Sequence, residues 1–195
     1  MVACTTLDDR LEYPILSLHS QSGPSLCGIA AIRSVLETQF DAKASEDEVV
    51  RTIGRRKGWP QDEYWSRIKR YGTSPTDIAD YFKRGFSGVK VFCSRQGKAS
   101  QLDHLLRKED ILPIFHQQVT YREEGELKTD GHYMIFGGLS KGIAQVFNPS
   151  LGVGFSYLEV NNFHRQWLNH EERWYLAVVP DSLHLPAEKF KGRYL

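Results

Sequence analysis

Apolar residues recur at helical spacing through the first half of the chain. In SQSGPSLCGIAAIRSVLE (residues 20–37) they stand at positions 29, 30, 32, 35 and 36, which predicts a helix that begins at or just before Cys27. Ser45, followed by acidic residues, predicts the start of a second helix. A third helix is predicted for SPTDIADYFKRGF, with Ser74 or Thr76 as its cap and Gly85 at its end. An amphipathic helix is predicted for ASQLDHLLRKED.

The second half of the chain changes to β-branched and aromatic runs. GVKVFC alternates like a strand, and four longer runs follow it, separated by Gly, Asn and Lys turns: ILPIFHQQVTYRE, GHYMIFGGL, IAQVFNPS and ERWYLAVVP. Helices first and antiparallel strands afterwards predict an α+β fold. FKGRYL at the end, after Pro186, is typical of a loosely attached tail.

The composition is that of one globular domain. The chain has 195 residues, of which 41% are hydrophobic and 25% charged, and its formal net charge is +1. This charge gives no reason to expect a nucleic acid or another polyanion as partner. Three cysteines without paired spacing argue against a disulfide framework and a structural zinc site. The sequence shows neither a signal peptide nor the roughly 20 apolar residues that span a bilayer, so we expect a cytoplasmic protein without a membrane partner.

Basic and aromatic residues alternate between positions 55 and 71, a pattern that also occurs in proteins that bind single-stranded nucleic acid. Asp62 and Glu63 interrupt the pattern, and the chain as a whole is nearly neutral. We therefore interpret these aromatic residues as a roof over an active-site cleft that helps to select the substrate.

Cys27 stands where a helix start favours a reactive thiolate. The helix dipole and the free backbone N–H groups of a first turn stabilise negative charge on sulfur. Gln21 lies six residues earlier, across the Gly23-Pro24 bend, so its side-chain amide can lie beside the Cys27 backbone N–H. Two such donors stabilise the oxyanion that forms when a thiolate attacks a carbonyl group. Cys93, by contrast, ends a predicted strand and is expected in the core.

A cysteine nucleophile also needs an imidazole, and His132 is the histidine best placed to supply it because it opens the strand HYMIF after a turn. Three other histidines lie in segments that we expect to be solvated: His104, His164 and His170. Asn148 ends the following strand, and the glycine-rich connection between the two strands can bring its amide oxygen to an imidazole N–H. Asp130, beside the histidine in sequence, is the alternative for this third position.

Together these segments resemble the papain-like superfamily, and within it the double-glycine leader (bacteriocin-processing) peptidases. The resemblance lies in QSGPSLCGIAA, GHYMIFGG and VFNPSLG: a glutamine six residues before Cys-Gly, a Gly-His that opens a strand, and an acid-Pro pair in which Asn148 replaces the usual aspartate. GTSPTDIADYF is similar to the family's second helix, and the similarity spans roughly residues 14–180. QSGPSLCG is also similar to QSEPA-aromatic-CG of the phytochelatin synthases.

The resemblance implies a papain-like catalytic domain over residues 14–180, an N-terminal extension over residues 1–13 and a C-terminal tail over residues 181–195. It implies a cysteine peptidase that needs no cofactor and no metal and that hydrolyses a peptide or amide bond of a peptide or protein substrate. Cys27, His132 and Asn148 would form its triad and act through a thioester acyl-enzyme, and Gln21 would complete the oxyanion hole. Two alternatives stay open: a thiol acyl transferase or transpeptidase of the phytochelatin-synthase type, and a non-catalytic peptide-binding module of the same fold.

Overall fold

The computed structural model describes residues 17–123, 125–150, 154–167 and 172–195, and the predicted N-terminal extension lies outside these ranges. Its helices are α1 (Cys27–Phe40), α2 (Glu46–Arg56), α3 (Tyr64–Tyr71), α4 (Pro75–Gly85), α5 (Ala99–Glu109), α6 (Val160–Gln166) and α7 (Ala187–Phe190). Its strands are β1 (Val89–Ser94), β2 (Ile114–Glu123), β3 (Glu126–Ser140), β4 (Ile143–Asn148), β5 (Gly154–Glu159), β6 (Trp174–Pro180) and β7 (Gly192–Tyr194). A 3₁₀ turn at Gln61–Glu63 precedes α3.

In the described part of the chain, seven strands form one sheet with the order β5-β4-β3-β2-β6-β1-β7. Neighbouring strands pair antiparallel, which confirms the predicted α+β class. Helices α1 and α5 contact β3, so helical segments cover the middle of the sheet. Both layers contribute fully buried residues to the core, among them Ile29 and Ile32 of α1 and Ile135 of β3. Burial of such side chains is the main force that holds the two layers together.

The predicted helix starts are confirmed at three places. Ser45 caps α2 through a capping box, and Ser74 caps α4 in the same way with Pro75 in the first turn. The helix α1 begins at Cys27, but Leu26 precedes it and no side chain caps its first turn. Its first backbone N–H groups therefore remain able to donate hydrogen bonds to other groups that lie at the start of the helix.

The last residues of the chain are packed, so the expectation of a loosely attached tail is wrong. The strand β7 pairs with β1 at the edge of the sheet. Phe190, at the end of α7, is 1% exposed and contacts the rings of Phe92 and His104 edge-on. These contacts are tertiary, and six residues are too few to show a period that would predict them. The predicted domain boundaries stay a prediction.

The sequence pattern does not predict β5 or α6. The strand β5 lies at the edge of the sheet, and α6 buries Phe163 in the core. His164, expected to be solvated, accepts a hydrogen bond from the Ala99 backbone N–H at 3.0 Å at the start of α5. His170 lies outside the described residues. Within the described ranges, no helix has both the length and the apolar character that crossing a bilayer requires.

Candidate active site

Cys27 is the first residue of α1 and is buried, with 7% of the residue exposed. The backbone N–H of Tyr133, on β3, donates to the sulfur, as do the N–H groups of Gly28 and of Cys27 itself. Burial is the largest effect and raises the pKa of the Cys27 thiol, whereas these three donors act to lower it. The sulfur therefore lies where the start of α1 meets the sheet.

Gly28 leaves the space into which two other side chains pack. A Cβ at this position would overlap the Thr73 hydroxyl and would lie 3.2 Å from the Tyr133 ring. Thr73 belongs to the turn between α3 and α4, so the Cys-Gly pair lets this turn close on the first turn of α1. The hydroxyl groups of Thr73 and Tyr133 are both buried and have no hydrogen-bond partner among the described residues.

The structure brings His132 and Asn148 together. His132 Nε2 donates to Asn148 Oδ1 at 2.8 Å, and the same oxygen accepts a hydrogen bond from the Ser150 backbone N–H at 2.9 Å. Since this oxygen only accepts, the ring proton lies on Nε2 and the lone pair on Nδ1. Burial lowers the pKa of His132, and the hydrogen bond with Asn148 opposes that shift. The strand β3 begins at Glu126, so His132 lies inside a strand rather than opening one as predicted.

Gln21 reaches the same site from the segment before α1. Its backbone N–H donates to the Pro149 carbonyl at 2.7 Å, which ties this segment to the residue after Asn148. Its side-chain Nε2 donates to the Gly23 carbonyl at 2.9 Å, and its Oε1 is buried without a partner in the described structure. One Nε2 hydrogen is thus engaged by the bend, and the second is the one that the predicted oxyanion role requires.

A single cleft of about 750 Å³ is lined by Gln21, Cys27 and His132 together with the turn at residues 70–73. Asn148 does not line the cleft itself, but it hydrogen-bonds the His132 ring, which does. Asp130 is exposed at the cleft, and its charge raises the pKa of Cys27 in addition to the larger effect of burial. The Nε2 of His132 pairs with Asn148, which favours Asn148 over Asp130 as the third residue. Among the described residues no cluster of metal-ligating side chains occurs.

The predicted aromatic roof is only partly present. Tyr71 lines the cleft, but Trp59 and Trp65 are not among its lining residues. Trp65 donates its indole N–H to Asp47 of α2 at 2.9 Å, and Trp59 packs against the Lys57 ammonium. These contacts hold Trp65 against α2 and Trp59 against the residue that follows α2, so the prediction is wrong for both tryptophans.

His116 is a second imidazole in the cleft, and the sequence analysis missed it. It stands opposite Tyr133 in the β2–β3 ladder, with ring centroids 4.8 Å apart, and a Cβ on Gly131 would overlap its ring. Burial lowers the pKa of His116 to about 4, with a further contribution from the charge of His132. No local signal distinguishes it, because a histidine inside an alternating strand resembles any half-buried polar residue.

Burial favours the neutral forms of both Cys27 and His132, since it raises the pKa of the thiol and lowers that of the imidazole. Within the described contacts, no hydrogen bond joins the Cys27 sulfur to the His132 ring. Both observations work against the resting thiolate that the helix start predicts. The site instead holds a thiol and a neutral imidazole that line one cleft.

No protein-family model matches the sequence, and no curated protein matches it either. Solved structures are similar over most of the chain. The peptidase domain of Streptococcus ComA, a bifunctional ABC transporter involved in quorum sensing, has a TM-score of 0.53 at 15% identity over 84% of this chain and 97% of that chain. A C39-like peptidase from Bacillus anthracis has a TM-score of 0.58 at 8% identity over 85% of this chain and 95% of that chain.

A third similar structure is a double-glycine-motif protease from an AMS/PCAT transporter in complex with its leader peptide. Its TM-score is 0.50 at 14% identity, over 86% of this chain and 94% of that chain. Identities this low demonstrate a common fold and nothing finer. The chain therefore has the papain-like α+β fold of the double-glycine (C39) peptidase domains.

Proposed function

We propose that the protein is a cysteine peptidase of the double-glycine (C39) type that cleaves a peptide bond through a thioester acyl-enzyme. The observation that carries the proposal is the His132–Asn148 hydrogen bond of 2.8 Å beside the cleft that Cys27 also lines. A nucleophile and an oriented imidazole in one cleft are the parts that acyl transfer needs. The similar protease that was solved with its leader peptide supports a peptide as substrate.

The first half of the reaction forms the thioester. Cys27 sulfur attacks the scissile carbonyl carbon while its proton passes to His132 Nδ1, the nitrogen that Asn148 does not engage. The carbonyl π electrons move to oxygen, where the Cys27 backbone N–H and the Gln21 side-chain amide stabilise the negative charge. Nδ1–H then protonates the leaving amine as the carbon–nitrogen bond breaks.

The second half hydrolyses the thioester. A water gives its proton to His132 Nδ1 and attacks the thioester carbon, and the carbon–sulfur bond breaks to release a carboxylic acid. The departing sulfur takes the proton back from Nδ1. Asn148 Oδ1 holds Nε2–H throughout and thereby keeps the lone pair of neutral His132 on Nδ1.

Cleavage of a proteome-derived peptide library, followed by mass spectrometry, tests this function. We expect the wild type to cleave a defined subset of peptides and Cys27→Ala to cleave none. Cys4→Ala is the matched control, because it removes a thiol to which the proposed mechanism and the substrate site give no role. Rapid acid quenching should capture an acyl adduct on Cys27 by intact mass.

The same assay separates hydrolysis from acyl transfer. In the presence of glycinamide, a hydrolase gives mainly free carboxylates, whereas a transferase of the phytochelatin-synthase type gives mainly amide products. Cleavage that persists in Cys27→Ala, or a folded wild type that binds library peptides and cleaves none, contradicts the proposed peptidase.

A further inference from the structure

A second cavity, of about 760 Å³, lies beside the catalytic cleft. Trp174, the first residue of β6, lines this cavity. Its ring also contacts two residues that line the cleft, His116 at 6.1 Å and Tyr133 at 6.2 Å between ring centroids. The two cavities are therefore neighbours across one aromatic side chain, close enough for one extended peptide to contact both.

Three cationic side chains line the second cavity, which we call the basic groove: Arg95, Lys191 and Arg193. No Asp or Glu side chain belongs to its lining. Arg193 stands directly opposite Cys93 in the β1–β7 ladder, and Arg95 follows the end of β1. The ladder therefore places two of the three charges at the same edge of the sheet.

The wall of the basic groove is fixed by the packing of Cys93 and Trp174. Burial raises the pKa of Cys93 to about 11, and the charge of Glu172 adds to the rise, while a hydrogen bond from Trp174 and the charges of Arg95 and Arg193 lower it. Both guanidinium groups, together with the Glu172 carboxylate, are thus close enough to act electrostatically on one point of the wall. Since both arginines also line the groove, a negative group bound there would be attracted by each of them.

Among the described residues, Glu172 is the acidic side chain that pairs with one of these cations. Arg95 pairs with Glu172 at 3.3 Å, but both side chains are largely exposed, so this pair contributes little. Lys191 and Arg193 have no acidic partner within ion-pair distance among the described residues. The chain as a whole is nearly neutral, so the groove is a local positive site and not part of a general excess of positive charge.

We propose that the basic groove binds an acidic segment of the peptide substrate while the neighbouring bond lies in the catalytic cleft. This inference rests on the proposed peptidase function, since it assigns the groove to that enzyme's substrate. Asp and Glu side chains of the peptide would pair with Arg95, Lys191 and Arg193, and Trp174 would separate this segment from the reacting bond.

The peptide library tests the selectivity that the groove would confer. We expect Asp and Glu to be enriched on one side of the cleaved bond for the wild type, and Arg95→Gln/Arg193→Gln to lose that enrichment. For a cleaved acidic peptide, the double variant should raise KM about 10-fold with kcat unchanged, because it removes two charge pairs from binding and none from the chemistry. Lys83→Gln/Lys108→Gln removes the same charge from exposed helical positions and should change neither.

A binding assay keeps the groove testable when catalysis is absent. Fluorescein-labelled hexaglutamate should bind the Cys27→Ala protein, and its affinity should fall as the NaCl concentration rises. Adding Arg95→Gln and Arg193→Gln to this protein should lower the affinity about 10-fold. Labelled hexaglutamine should not bind. Groove-dependent binding of hexaglutamate without any cleavage by the wild type would refute the peptidase but retain the acidic-ligand groove.

Four outcomes would overturn the groove proposal. The first two are cleavage without acidic preference and equal binding of hexaglutamate and hexaglutamine. The third is groove-dependent binding of a single-stranded hexanucleotide more tightly than hexaglutamate. The fourth is inhibition of hexaglutamate binding by millimolar sulfate alone, which would assign the groove to a simple inorganic anion rather than to a peptide.

Discussion

Replacing Thr73 by valine should make the protein more stable. The Thr73 hydroxyl is buried against Gly28 and has no partner among the described residues, and Thr73→Val exchanges it for a methyl group of similar volume. Burying an unpaired hydroxyl costs about 1–3 kcal/mol in protein mutational data. We therefore expect the free energy of unfolding to rise by about 1–2 kcal/mol, which for a chain of this length raises Tm by roughly 2–8 °C.

Ser34→Ala provides a control of opposite sign. Ser34 Oγ is also buried, but it donates to the Ala30 carbonyl at 2.8 Å and accepts from the His19 N–H at 2.9 Å. Its removal leaves the His19 N–H unpaired and should cost about 1–3 kcal/mol. Urea unfolding of both variants, with unchanged m-values, gives the comparison. A Thr73→Val protein that is less stable than wild type would refute the reasoning, because it would mean that the hydroxyl has a partner in the folded protein.

Three further predictions follow from the site. The Asn148→Ala variant should lose most of its turnover, and Asn148→Asp should lose much less, because aspartate also accepts the His132 Nε2–H. A folded and fully active Asn148→Ala variant would instead assign the orientation of His132 to Asp130. Alkylation of Cys27 by iodoacetamide, followed by peptide mapping, should rise with an apparent pKa above that of a free thiol, because burial raises it; a plateau between about pH 5 and 7 would instead show a resting thiolate–imidazolium pair. The pKa of His116 is about 4 in the folded protein and about 6.5 in the unfolded chain, so the native state binds fewer protons and stability falls as the pH drops from about 6.5 through about 4. His116→Phe should flatten that fall in thermal unfolding measured against pH, and an unchanged slope would contradict the shift.

The sequence was sufficient for the features that local chemistry determines. Ser45 and Ser74 start their helices through side chains that bond the backbone three residues later, so each start can be read within four positions. Alternation predicted β1, and runs of β-branched and aromatic residues predicted the other core strands, for the same reason. The Cys27 and His132 segments were found because their motifs are local, although the bond from His132 to Asn148 joins two strands.

The features that were missed depend on contacts between distant segments. Thr73 enters the site because a turn between helices packs on Gly28, and neither residue shows this in its own neighbourhood. His116 is in the cleft because β2 pairs with β3 in a register that sets it opposite Tyr133. Phe190 is buried by Phe92 of β1 and by the pairing of β7 with that strand. Sequence patterns predict which segments form strands, but not which strands become neighbours.

The donors at the start of α1 suit the proposed role of Cys27 as a nucleophile whose thiol is neutral at rest. At rest, the backbone N–H groups of Cys27, Gly28 and Tyr133 point at the sulfur, yet burial outweighs them and keeps the proton on the thiol. In the proposed reaction the thiol gives its proton to His132 as the sulfur attacks, and negative charge develops on the carbonyl oxygen. The Cys27 N–H, released from the sulfur, can then meet that oxygen beside the Gln21 amide. Because these donors are already fixed by the helix start and the β3 backbone, little reorganisation is needed, and their stabilisation is greatest in the transition state.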